Sequence, residues 1–187
     1  MSIEEIFSQV SQHMIQGLMV HTQLSDYFYF LGLSGYGKCH EYHYFEESNN
    51  FRKTCTFYLE NYNRFIKDSR IDNPQVIPEN WYMYTRNQVD PDTRKTAIQK
   101  GFEYWVKWEE DTLNLYQKMY KELINSGEIA SAIFIENCVK DVNNELVKAE
   151  QKLLELKIID FDIFNIMEEQ ESLFKKYSKK MKGVELC

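Results

Sequence analysis

All three prolines of this 187-residue chain fall in one stretch of about twenty residues, Ile71 to Pro91, and long segments on either side are free of both proline and glycine. That distribution favours helices, because proline and glycine are the residues that interrupt them. It also isolates a single long connection. Hydrophobic periodicity predicts four long helices around it. In the first, Ile6, Val10, His13, Gly17, Val20, Leu24, Tyr27 and Leu31 recur at spacings of three and four, one stripe of a bundled helix, before GLSGYG at Gly32 to Gly37. The second is predicted over about Lys38 to Arg70, with Tyr44, Phe51, Cys55, Tyr58, Tyr62 and Phe65 on its apolar side.

The third is predicted from about Asp92 to Asn125, entered through Pro91, with Ile98, Phe102, Trp105, Thr112, Tyr116, Met119 and Leu123 as its stripe. The fourth, from about Glu128 to Lys157, carries Ile135, Val139, Val142, Leu146, Ala149, Leu153 and Leu156. A shorter amphipathic helix, about Phe161 to Met181, closes the chain. Helices one and two, and helices three and four, are joined by a few residues each, so each pair reads as an antiparallel hairpin. A helix of about thirty residues is about 45 Å long, and twenty extended residues reach about 66–72 Å. The proline-containing link can therefore cross the whole bundle and leave helices two and three parallel. The expected architecture is all-α: one domain, with a four-helix bundle over about residues 3–157 and a C-terminal helix over about 161–181.

Charge and cysteine usage narrow the function. A net charge of −7 disfavours nucleic acid, which needs a concentrated basic face, and the only dense lysine cluster is KKYSKKMK at Lys175 to Lys182. Cys39, Cys55, Cys138 and Cys187 are far apart and form no CxxC pair, which reads as reduced thiols. No run approaches the roughly 18 apolar residues that span a bilayer, and MSIEEIF lacks a signal-peptide pattern. The reading is a soluble cytoplasmic protein with no membrane or nucleic-acid partner, whose acidity would suit cations.

Two features raise the question of a metal site. The segment GYGKCHEYHYFEESNNFRK places His40, His43, Glu47, Asn50 and Thr54 on one helical stripe. Such a stripe is either a solvated face or a ligand set, and the dispersed cysteines argue against a closed zinc site. On helix three Glu109 continues the spacing Phe102, Trp105, Thr112, Tyr116, so its carboxylate is predicted to point inward. A carboxylate buried there must be paired, protonated or bound to a cation.

Several segments resemble the ferritin family. DYFYFLGLSGYGK (Asp26 to Lys38) looks like the end of a ferritin first helix and the start of its second, and HYFEESNN stands where ferritins carry their Glu-Glu-x-x-His segment. EYWVKWEEDTLNLYQKMYKEL (Glu103 to Leu123) resembles the third helix, with Glu109 as its inward glutamate, and FIENCVKDVNNELVKAE (Phe134 to Glu150) resembles the fourth. The resemblance spans nearly the whole chain. It implies the ferritin-like connection of two hairpins through a long crossover, iron as the bound ion, and oxidation and storage of iron in a hollow homo-oligomeric shell of twenty-four subunits. It also implies a short fifth helix packed against its symmetry mates.

Carried onto this sequence, the site is incomplete. Glu47 and Glu109 match the second- and third-helix glutamates. The first-helix glutamate falls near Gln16, the second-helix histidine at Asn50, and the fourth-helix ligand near Asn143, Asn144 or Glu145. The expected metal-binding residues are Glu47, Glu109, His43 and Glu145, with His13, His21 and His40 as candidates to compensate. The expectation is an iron-storage or iron-binding subunit that binds iron weakly or partially, with weak or absent ferroxidase activity. The alternative is a ferritin-like scaffold without metal.

Overall fold

The structure, a computed structural model, describes residues 1–66 and 89–183. Within them five helices and no strand are found: α1 (Ile3–Phe30), α2 (Ser34–Tyr62), α3 (Pro91–Asn125), α4 (Ile129–Ile158) and α5 (Ile163–Lys182). Local chemistry sets their starts. Ser2 and Glu5 form a reciprocal capping box on α1, Asp90 accepts from the Thr93 amide ahead of Pro91 on α3, and Asp162 accepts from the Asn165 amide on α5. The two tight hairpin turns each place a glycine at positive φ, Gly32 at 84° and Gly127 at 78°, where a side chain would be strained.

Two apolar clusters fix the helix directions. One gathers Leu24, Phe28 and Leu31 from the end of α1 with Ala97, Ile98 and Phe102 from the start of α3 and Leu153 and Leu156 from the end of α4. The other gathers Ile6, Phe7 and Val10 with Tyr58, Met119, Leu123, Ala132 and Ile135. The C-terminal end of α2 thus lies with the C-terminal end of α3, and the two helices run parallel. Tyr62 and Pro91 sit at opposite ends of the bundle, as a crossover requires; residues 67–88 of that connection lie outside the described residues. The predicted stripes of α1, α3 and α4 are the buried ones, with His13 and Val139 half-buried.

Helix α2 departs from the sequence reading in two ways. It begins at Ser34, taking in Gly35 and Gly37, and ends at Tyr62, where Asn63 in the left-handed region (φ 51°) caps it. The glycines serve close packing rather than a break: a Cβ at Gly37 would lie 2.7 Å from the Tyr29 ring. The buried face is the expected one only in part. Tyr58 is buried as expected, but Tyr44 and Phe65 are exposed, while Tyr36, His40, His43 and Thr54 point inward. The polar stripe of α2 is its interior face, because the neighbouring helices offer these groups hydrogen-bond partners and ring contacts.

Helix α5 folds back along α2 of its own bundle. Its run is parallel to α2: Ile166 and Gln170 are buried near Gly35, and Tyr177 lies against Tyr42. The Gln170 side-chain oxygen accepts from the Gly35 amide at 2.9 Å, supplying one of the free N–H groups at the α2 start, where no side chain caps the helix. Lys152 of α4 reaches Glu169 at 2.7 Å and ties the other flank. Phe164, Met167 and Phe174 remain exposed on the outer side of α5.

Candidate metal centre

Between the two apolar clusters the bundle interior turns polar. His40 is fully buried, stacked on Phe28 at 5.3 Å and edge-on to Trp105 at 4.8 Å. Its Nδ1 lies 3.1 Å from Nδ1 of His21 on α1. A nitrogen–nitrogen hydrogen bond needs one N–H and one lone pair, so the two rings are not both imidazolium. Burial pushes both well below the ordinary histidine value, aided by the charge of neighbouring histidines. His43 stacks on His21 at 5.2 Å, with Nδ1 3.2 Å from Glu46 and Nε2 3.7 Å from Glu145. Burial opposes protonation of His43, but Cys39, Glu46 and Glu145 more than offset it and hold its pKa well above the ordinary value.

The two expected carboxylates face the same space. Glu109 is buried as its spacing predicts; Oε1 accepts from Trp105 Nε1 at 3.1 Å and lies 4.0 Å from His21 Nε2. Burial raises its pKa to about 7, against the charge of His43 and the Trp105 hydrogen bond. Glu47 is more perturbed. Its Oε2 is sealed from solvent with no hydrogen-bond partner, and burial plus the nearby Glu109 raise its pKa to about 8. Both residues, with His21, His43, Asn50 and Glu145, line a cavity of about 360 Å³ between α2 and α4.

The geometry sorts the sequence expectations. Glu47, Glu109, His43 and Glu145 share the cavity, and Asn144 lines it as well. The first-helix position expected near Gln16 is Gly17: a Cβ there would stand 3.2 Å from the Glu47 carboxyl carbon, so at this point α1 meets Glu47 with no side chain. The register differs by one residue because the buried stripe of α1 passes through Met14, Gly17 and His21. His13 is drawn elsewhere, stacked on Trp108 at 4.5 Å with Nε2 2.7 Å from the Thr112 hydroxyl, and burial pushes its pKa down to about 4. Among the described residues, no three His, Cys, Asp or Glu side chains are gathered tightly enough to clasp a metal ion as they stand. The residues fit a cation in one respect. An orphaned carboxylate oxygen beside a second buried carboxylate is the arrangement a positive ion relieves.

Four long helices in two antiparallel hairpins, joined through a crossover with carboxylates and histidines facing inward, define a ferritin-like fold. Solved ferritins superpose on it closely. The chain is similar to the open-pore ferritin of the hyperthermophilic archaeon Archaeoglobus fulgidus at a TM-score of 0.76 and 16% identity, over 93% of this chain and 96% of that one. A humanized archaeal ferritin gives a TM-score of 0.76 at 18% identity, over 93% and 97%. A variant of PmFTN soaked in iron gives 0.73 at 12% identity, over 90% and 96%. No protein-family profile and no curated protein matches the chain.

Proposed function

We propose that this protein is a ferritin-like iron-binding subunit of a hollow homo-oligomer, with weak or absent ferroxidase activity. The observation that carries the reading is the orphaned, buried Glu47 oxygen beside Glu109 in a cavity that also holds His43 and Glu145. Ferrous iron, the substrate, would be taken up by Glu47 and Glu109 with loss of their protons, and His43 and Glu145 line the same cavity. Oxidising iron as a pair needs enough anionic ligands to hold two ions about 3.5–4 Å apart. Here Gly17 contributes nothing from α1 and Asn50 offers only an amide, so the ligand charge suits about one ion per chain.

Anaerobic Fe(II) titration is expected to reach about one ion per chain, and stopped-flow absorbance under oxygen to give slow or no oxidation. A fast phase saturating with a pair of irons per chain would overturn the reading. Support for assembly comes from apolar side chains left outside: Ile129, Ile133, Leu154 and Ile158 on α4 and Phe164, 81% exposed, on α5. Light scattering is expected to give several hundred kDa; a particle near the subunit mass of 22.5 kDa contradicts the shell.

A further inference from the structure

His21 and His43 stand one helical turn from Gly17 and Glu47 on their respective helices, and each faces a carboxylate across the cavity. His21 Nε2 faces Glu109 Oε1 at 4.0 Å, and His43 Nε2 faces Glu145 Oε2 at 3.7 Å. All four residues line the one cavity, and the two imidazole rings are stacked with centroids 5.2 Å apart. Donors around a tetrahedral cation with bonds of about 2.0–2.1 Å stand roughly 3.4 Å from one another. The His43–Glu145 pair is therefore about 0.3 Å and the His21–Glu109 pair about 0.6 Å wider than the spacing that a shared ion imposes, changes that side-chain rotation supplies.

At the level of Glu47, by contrast, α1 offers Gly17 and the next turn of α2 offers Asn50, so the strong donors thin out. His21 also has the support expected of a ligand. Its Nδ1 is engaged by Nδ1 of His40, whose ring is clamped between Phe28 and Trp105. When Nε2 of a neutral imidazole binds a cation, its Nδ1 carries the proton and needs an acceptor. His40 Nδ1, 3.1 Å away, is placed to be that acceptor when His40 carries its own proton on Nε2.

We propose that this chain holds a mononuclear, nitrogen-containing cation site formed by His21, Glu109, His43 and Glu145, displaced by about one turn from Glu47, with His40 as the positioning residue that orients His21. The ligand class is a late first-row divalent ion such as Co²⁺ or Zn²⁺, since imidazole favours these over Mg²⁺ or Ca²⁺. The inference rests on the cation-binding reading above and moves the ion from Glu47 towards the two histidines, with Glu109 retained.

The test uses Co²⁺ on the full-length protein, read by visible ligand-field absorption, calorimetry and X-ray absorption. Wild type is expected to bind about one Co²⁺ per chain with imidazole nitrogen in the cobalt shell, unaffected by Mg²⁺ excess. His21→Ala and Glu109→Gln should each weaken binding at least about tenfold, more than Glu47→Gln, while His13→Asn leaves it unchanged. His40→Leu should weaken binding about tenfold and alter the band shape, and His40→Asn, whose amide oxygen still accepts from His21, should restore both. A cobalt shell without imidazole in the wild-type protein overturns the displaced site whatever the variants do. So does His21→Ala binding as tightly as wild type when Glu47→Gln loses the ion, although cation uptake by the cavity then stands. Uptake of neither Co²⁺ nor Fe²⁺ by wild type overturns both readings.

Discussion

Glu47→Gln is expected to give a metal-free protein that is more stable than wild type, and increasingly so as the pH rises. Burial and the neighbouring Glu109 raise the Glu47 pKa from an ordinary 4.5 to about 8, so the folded chain retains a proton that the unfolded chain releases. The contribution of this group to stability is fully present below pH about 4.5 and is lost as the pH climbs to about 8. At about 1.4 kcal/mol per unit, the loss at neutral pH is of the order of 3 kcal/mol, and glutamine, which carries no titrating proton, should recover much of it. Glu109, raised to about 7, adds a smaller loss of the same sign.

The acid side behaves oppositely. His13 is held neutral, so its share of stability is present above the ordinary value of 6.5 and is lost as the pH falls towards about 4. Thermal unfolding of wild type and variant from pH 4 to pH 9 checks both arms. Equal melting temperatures at pH 8.5 would mean that the Glu47 carboxylate is solvated in solution. The same variant should show a smaller rise in melting temperature on adding Fe(II), because a ligand that binds only the folded state stabilises it in proportion to its affinity. Stability and cation uptake thus pull in opposite directions at one residue, as expected where an ionisable group is buried for a purpose other than folding.

Gly35→Ala is expected to detach α5 from α2. A Cβ at Gly35 would stand 2.6 Å from the Gln170 carbonyl oxygen and 2.8 Å from the Leu173 Cβ, and the first of these is main chain that no rotamer change can move. The helix as a whole must retreat. Retreat breaks the Gln170 contact with the Gly35 amide and uncovers Ile166, which is fully buried. Overpacking against backbone costs typically 1–3 kcal/mol, and leaving a buried amide without its acceptor adds roughly 1–3 more. Chemical denaturation should report a loss of that order, and limited proteolysis should gain a cut in the α4–α5 turn over residues 159–162. The Tyr177 ring lies 6.5 Å from that of His43, which lines the cavity, so the same variant loosens the packing around His43 and should weaken Co²⁺ binding as well. An unchanged stability with no new cut would show that α5 is not held in this position.

The site was only partly legible in advance. Glu109 could be placed because it interrupts a regular apolar stripe, and burial followed from helical geometry. Glu47 was found through its motif, but Gly17 was not: a glycine carries no signal of what it faces, and its position one residue from Gln16 emerges only when α1 is rotated against α2. The inward face of α2 was obscured for a related reason. Aromatic residues lie on both of its sides, and the hydrogen bonds that make histidines acceptable inside come from other helices. His21 drew little weight, since a histidine off the predicted stripe says nothing of its partner; that partner, His40, is nineteen residues on in the chain and on another helix.

By itself the sequence determined the features set by local physics. Periodicity gave the helices, the spread of proline and glycine gave their breaks, and link length against helix length gave the parallel arrangement of α2 and α3, because these depend on distances along the chain. Tertiary structure decided the rest. It turned the polar stripe of α2 inward, brought two histidine–carboxylate pairs and an orphaned Glu47 into one cavity, and laid α5 on its own bundle through Gln170 and Gly35. Each of these depends on what one helix presents to another, and burial and hydrogen-bond satisfaction are properties of that contact rather than of either segment.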